Sequence, residues 1–216
     1  MNVLYVDASV FATLAEIDRH ELLAELGWTA VIPREIVDEL DDDPAASRLE
    51  EVREADSFSV LDQSVVEAQP VASNLASSYL DCDGRSWSAE GDVALLAYAL
   101  HNESLSTIER TVIATDDRPL RSRCGALDID VTSSIGVLVS AVEHGALESD
   151  EAKEAMLAMD EVGPRVSVTS LRTAVRLINE IEARAEGTAT STSTSTSTSR
   201  SRAEAELEAE IRSKAE

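Results

Sequence analysis

Two stretches of this chain constrain it more than any others: residues 2–7, NVLYVD, and residues 111–117, TVIATDD, each an apolar run that ends in a carboxylate. A short, continuously apolar run rich in Val and Ile reads as a strand buried on both faces, and such strands belong to parallel sheets covered by helices. Helical spacing fills the intervals. Val10, Phe11 and Leu14 follow the first strand, and Ile36, Val37 and Leu40 follow a strand at 28–32, with Pro33 where a first helical turn accepts it. Leu49 and Val52 precede a strand at 58–61, and a weaker helical stretch runs to about Tyr79. Ser88 is placed to cap a helix carrying Val93, Leu96 and Leu100. Leu120 marks a helix after TDD, residues 129–131 a last short strand, and Ile135, Leu138, Val139 and Val142 a stripe stopped by Gly145. This alternation predicts an α/β fold of three layers, with a mostly parallel central sheet flanked by helices.

Two more amphipathic helices are expected beyond it, one with Ala152, Ala155, Met156 and Met159, the other with Leu171, Ala174, Val175 and Ile178, separated at Gly163 and Pro164. From about Gly187 the chain becomes a Ser/Thr repeat that ends in AEAELEAEIRSKAE, a composition that buries no core and is expected to be disordered. The expected organisation is an α/β domain over 1–132, a helical extension over 133–186 packed on it, and a low-complexity linker with a charged tail over 187–216.

Charge narrows the setting. The formal net charge is -24, and Lys153 and Lys214 are the only lysines. At ordinary ionic strength such a surface repels itself and any polyanion, whereas at molar salt the Debye length falls to about 3 Å. The acid excess is read as adaptation to a salty cytosol. Cys82 and Cys124 have no paired spacing, and His20, His101 and His144 are scattered, which supports neither a disulfide framework nor a zinc site. With no apolar run near the roughly 18 residues of a membrane span and no secretory leader pattern, a soluble cytoplasmic protein without membrane contact is expected.

Ligands of open parallel sheets bind beyond the carboxyl ends of the strands, where Asp7 and the Asp116–Asp117 doublet are aimed. Asp92, in the first turn of its helix, and Glu39, expected on the 34–40 helix, are candidates to join them. Two carboxylates about 4 Å apart repel by about 4 kcal/mol at an effective dielectric of 20, and a cation resolves the conflict. An all-oxygen set selects Mg²⁺ or Mn²⁺, an ion suited to hydrolysing the phosphodiesters of a nucleic acid. Ser9 caps the first helix and supports Asp7, Thr115 precedes the doublet, and Arg118, Arg121 and Arg123 are candidates for phosphate contact.

The segments VDAS, PREIVDEL, GDVALLAYALHNE and TDDRPLR resemble, in order and spacing, the four acidic motifs of the PIN superfamily, over about residues 2–131. The following TSSIGVLVSAVEHGAL and the helices to about Ile181 resemble the C-terminal part of a prokaryotic PIN subfamily of toxin components, akin to VapC-like toxin ribonucleases. The resemblance implies a metal-dependent endoribonuclease whose four acids are Asp7, Glu39, Asp92 and Asp117, with Asp116 a near-equal alternative to Asp117. It further implies an RNA substrate, a protein antitoxin and a homodimer. Two departures stand out: Asp92 where relatives often carry Glu, and Ser134 where a glycine-bearing turn is expected. A catalytically silent PIN module that binds RNA or protein is the alternative. A receiver domain needs a lysine at the end of a late strand, and a dehalogenase-like phosphatase needs an Asp where Ser9 stands.

Overall fold

The computed structural model describes residues 1–80, 90–102, 105, 107–162 and 167–189. Five strands form one all-parallel sheet: β1 (Asn2–Val6), β2 (Thr29–Ile32), β3 (Phe58–Val60), β4 (Arg110–Ala114) and β5 (Asp130–Thr132), in the order β3-β2-β1-β4-β5. The chain builds outward from β1 to β3, then crosses back and builds outward on the other side. The strand order therefore reverses between β1 and β4, the topological switch point where open α/β sheets bind their ligands. Their register pairs Val6 with Ala114, which makes Asp7 and Thr115 the first residues past the sheet, side by side.

Helices flank the sheet in two packed groups. One holds α3 (Arg34–Val37), α5 (Val65–Ala68), α6 (Pro70–Leu80) and α7 (Glu90–Asn102), with α7 lying on β1 and β4. The other holds α1 (Ala8–Glu16), α2 (Leu22–Glu25), α4 (Ala45–Val52), α9 (Ser134–His144), α10 (Ser149–Val162) and α11 (Val168–Ala189), while α8 (Arg118–Ala126) packs on β5. The strands are buried as their composition requires: Val3, Leu4, Tyr5 and Val6 are all in the core. Tyr5 stacks on Tyr98 of α7 at 5.6 Å, and Asn102 Nδ2 donates to its hydroxyl at 3.0 Å, so β1 and α7 are joined by both packing and a buried hydrogen bond. Met156, Met159, Ala174 and Ile178 are buried, which seats α10 and α11 against α9.

Four expectations need correction. Helix α3 ends at Val37, so Glu39 lies in the tight turn beyond it, where the Glu39 and Leu40 amides bond to carbonyls three residues back. Three acids at 41–43 follow, and negative charge is unfavourable at a helix carboxyl end. Helix α2 is an additional element, four residues long, held by the buried Leu22 and Leu23. Ser9 lies inside α1, and Asp7 takes the N-cap position expected of Ser9; the fully buried His20 has its Nε2 3.2 Å from Glu51 and its ring edge-on to Phe11. Helix α11 runs through Gly187 to Ala189, three residues into the expected linker. The Ser88 cap, Cys82, the Gly163–Pro164 break and the tail from 190 lie outside the described residues. Among the described residues no helix is long and apolar enough to cross a membrane.

Candidate active site

Asp7 is both the residue after β1 and the N-cap of α1, with extended backbone (φ -78°, ψ 152°). Its amide donates to Ala114 O at 2.9 Å, extending the ladder one step past the sheet. The side chain is 6% exposed, and a carboxylate so buried must be hydrogen-bonded. Ser9 Oγ donates to its Oδ2 at 2.5 Å and Thr115 Oγ1 to the same oxygen at 2.7 Å. Both donors also accept. The Asp116 amide reaches Ser9 Oγ at 3.1 Å, and the Asp117 amide reaches Thr115 Oγ1 at 3.1 Å. The two hydroxyls thus lock the end of β1 to the loop after β4, with Oδ2 of Asp7 at the centre.

The doublet separates by long-range partners. Asp116 turns toward α9, where its carboxylate accepts from the Ser134 amide at 3.1 Å and from the Ser134 hydroxyl. Ser134, in place of the expected glycine turn, hooks α9 to the loop after β4. Asp117 caps α8, its Oδ1 accepting from the Leu120 amide at 2.7 Å, and stays exposed. Its charge bears on both Asp7 and Asp92.

Asp92 sits half-buried in the first turn of α7, next to Gly91, whose backbone N–H hydrogen-bonds the Glu39 carboxylate. Burial is the largest influence on Asp7, Glu39 and Asp92, and it raises the pKa of all three. Repulsion adds to it. Asp7 acts on Glu39, while Asp7, Asp117 and Glu39 together with burial bring Asp92 up to about 7. These four acids, from four separate segments, are therefore one electrostatic unit. Among the described residues no group of three or more acid, His or Cys side chains is placed to hold a metal ion as it stands. The donor set nevertheless fits a hard divalent ion: it is all oxygen, it is anionic, and its members repel one another without a counter-charge.

The raised pKa has a sign that can be measured. An acid whose folded pKa lies above its ordinary 3.8 stabilises the fold at low pH and loses that contribution as pH rises. For Asp92 the loss spans about pH 4 to 7 and is complete above 7. Such a rise is worth about 4 kcal/mol in a fully buried group; Asp92 is half-buried, so about 1–2 kcal/mol is expected after solvent screening. Denaturant titrations in EDTA at pH 5 and pH 8 check this, and Asp92→Asn is expected to flatten the difference. An equal pH dependence in the variant contradicts it.

The remaining candidates fall outside this unit. Arg121 turns back to the sheet, its Nη1 donating to Thr115 O at 3.0 Å and Thr132 O at 3.5 Å, while Arg118 is exposed on α8. Glu35 is buried and accepts from the Val65 amide at 2.6 Å, tying α3 to α5. Gly91, one residue before Asp92, escaped the sequence reading, although a glycine in the first turn of an otherwise strong helix is a signal for close approach.

A family model described as DUF3368, PIN domain, matches residues 3–180. No curated protein shows a significant match to the chain.

Proposed function

Because the chain belongs to the PIN-domain family, a nuclease fold, we propose that it is a metal-dependent endoribonuclease, the toxin of a toxin–antitoxin pair. The observation that carries this reading is the mutual electrostatic coupling of Asp7, Glu39, Asp92 and Asp117 at the switch point of the parallel sheet. In it, Asp7, Glu39, Asp92 and Asp117 hold a Mg²⁺ or Mn²⁺ ion, and Asp117 rather than Asp116 is the fourth acid, since Asp116 is committed to Ser134. Bound there, the ion supplies Lewis-acid polarisation of the phosphodiester and an activated water.

The chain's own residues supply the rest. Ser9 and Thr115 both donate to Oδ2 of Asp7, which fixes the orientation of the carboxylate that would hold the ion. Arg118, exposed beside Asp117, is the phosphate-contacting residue of this reading, while Arg121 braces the loop. Screening by molar salt lets so acidic a chain approach RNA, which supports a salt-adapted cytoplasmic setting. A protein antitoxin is supported by the exposed Val71, Leu75 and Tyr79, one turn apart on α6, a helix without a charged residue in a chain of net charge -24. A homodimer remains part of the proposal on the family resemblance alone.

The test is cleavage of single-stranded and structured RNA by the purified protein in molar KCl. Cutting is expected with Mn²⁺ or Mg²⁺ and none with EDTA. Cleavage that is indifferent to EDTA overturns the mechanism, and ion binding without any cleavage identifies the silent binding module instead.

A further inference from the structure

We propose that Gly91 is a positioning residue for the acidic cluster: the bare backbone it presents in the first turn of α7 is the seat on which the Glu39 carboxylate rests, beside Asp92. The inference deepens the reading of Glu39 as a metal ligand and rests on it.

Gly91 is locally unfavourable where it stands. Alanine is favoured over glycine within a helix, and Gly91 has no left-handed backbone that would demand glycine, unlike Gly27 (φ +70°) and Gly145 (φ +73°). The reason lies in what faces it. A Cβ built at position 91 would overlap Glu39 Oε1 and stand 3.2 Å from Glu39 Cδ and 2.6 Å from Ile36 Cδ1. The place of the missing methyl is therefore occupied by the Glu39 carboxyl group, and the Gly91 amide behind it donates to that carboxyl.

This contact does work that Glu39 cannot do for itself. Glu39 lies past the end of α3 in a turn, on a side chain with three rotatable bonds, and the charge of Asp7 pushes it away. The amino end of α7, thirteen residues long, offers N–H groups that have no partner within the helix and a positive dipole end that hold a carboxylate against such repulsion. Only a residue without Cβ lets the carboxylate reach that backbone from the side. Gly91 thereby sets Glu39 next to Asp92, and two acids distant in sequence arrive preassembled.

The test uses the full chain in three steps. In the metal-free protein, Glu39→Ala is expected to shift the Gly91 amide proton resonance, because it removes the acceptor; an unmoved resonance overturns the seat. Next, Gly91→Ala is combined with Ile36→Val, which deletes the Cδ1 atom and relieves the packing clash, so that only the Glu39 contact is lost. Mn²⁺ titrated by electron paramagnetic resonance is expected to bind this double variant about 10- to 100-fold more weakly than Ile36→Val alone. Finally, in a Glu39→Ala background, Gly91→Ala is expected to weaken Mn²⁺ no further, and an equal loss there shows that Gly91 acts by packing and overturns the inference. A wild-type protein that takes up no Mn²⁺ refutes the metal reading, while the amide resonance still decides whether Glu39 sits on Gly91.

Discussion

Asp7→Asn is expected to give a folded protein that has lost most of the proposed RNA cleavage. Asn has the shape of Asp and keeps an oxygen that accepts from Ser9 Oγ and Thr115 Oγ1, so the joint between β1 and β4 survives. What it loses is the charge. Burial, with the charge of Asp117 added, pushes the Asp7 carboxyl above its ordinary range, so ionised Asp7 opposes folding in the absence of a counter-ion. The sign is again that of a raised acid: stability is lost as pH rises, and the neutral amide escapes the loss. In EDTA at pH 8 the variant is therefore expected to melt at or above the wild-type temperature. Mn²⁺ reverses the ranking. An ion at one hundred times its dissociation constant adds about 2.7 kcal/mol to the wild type, roughly 5–10 °C in a chain of this length, and little to the variant. Cleavage is expected to fall by about 100-fold or more, because the variant lacks a ligand for the ion that would polarise the phosphodiester. Thermal melts and RNA cleavage on the same samples check the prediction. Wild-type cleavage by the variant removes Asp7 from the mechanism.

Thr115→Val carries the second large effect, with stability and activity falling together. The side chain is fully buried, and valine fills the same volume, so packing is preserved. Two hydrogen bonds disappear. Asp7 Oδ2 loses a donor at 2.7 Å, and the Asp117 amide loses its acceptor at 3.1 Å. A buried group left unsatisfied costs about 1–3 kcal/mol, more when it is charged, and a loss of about 3 kcal/mol is expected at pH 8. Without the Thr115 hydroxyl, Asp7 keeps the Ser9 hydroxyl and the Ala8 amide but loses one tie to the loop bearing Asp117, so a fall of about 10- to 100-fold in the proposed cleavage is expected at saturating Mn²⁺. Thr115→Ser, which keeps the hydroxyl, is expected to recover most of both. Chemical denaturation and single-turnover cleavage decide it; a valine variant as stable and active as the wild type shows that the hydroxyl bridges nothing of consequence.

The layered fold could be read from the chain because β1, β2 and β4 are short, mostly apolar runs, and β1 and β4 lead into acids at the switch point. Position within a helix was harder to read. The stripe Ile36, Val37 and Leu40 looks like a continuous helix, yet the acids at 41–43 sit where the negative helix end repels them, and the chain turns at Glu39 instead. Local pattern also left Asp116 and Asp117 interchangeable. Asp117 caps α8, whereas Asp116 is held by Ser134, a partner 18 residues on whose contact no spacing rule conveys. His20 was illegible for the same reason: one polar residue in a leucine-rich stretch carries no periodicity, and only the packing of Phe11 and the approach of Glu51 make it core. Gly91 was visible in GDVALLAYAL but had no stated purpose until Ile36 and Glu39 were seen to occupy the place of its side chain.

In the proposed mechanism, four acids from separate segments share one ion beyond the carboxyl edge of β1 and β4. A crystal of the wild-type protein soaked in MnCl₂, with diffraction recorded at the manganese edge, measures this directly. The expected result is a single anomalous peak within coordination distance, about 2.0–2.3 Å, of the Asp7 carboxylate and of at least one of Glu39, Asp92 and Asp117. A peak bound to other residues, or none at saturating Mn²⁺, contradicts it.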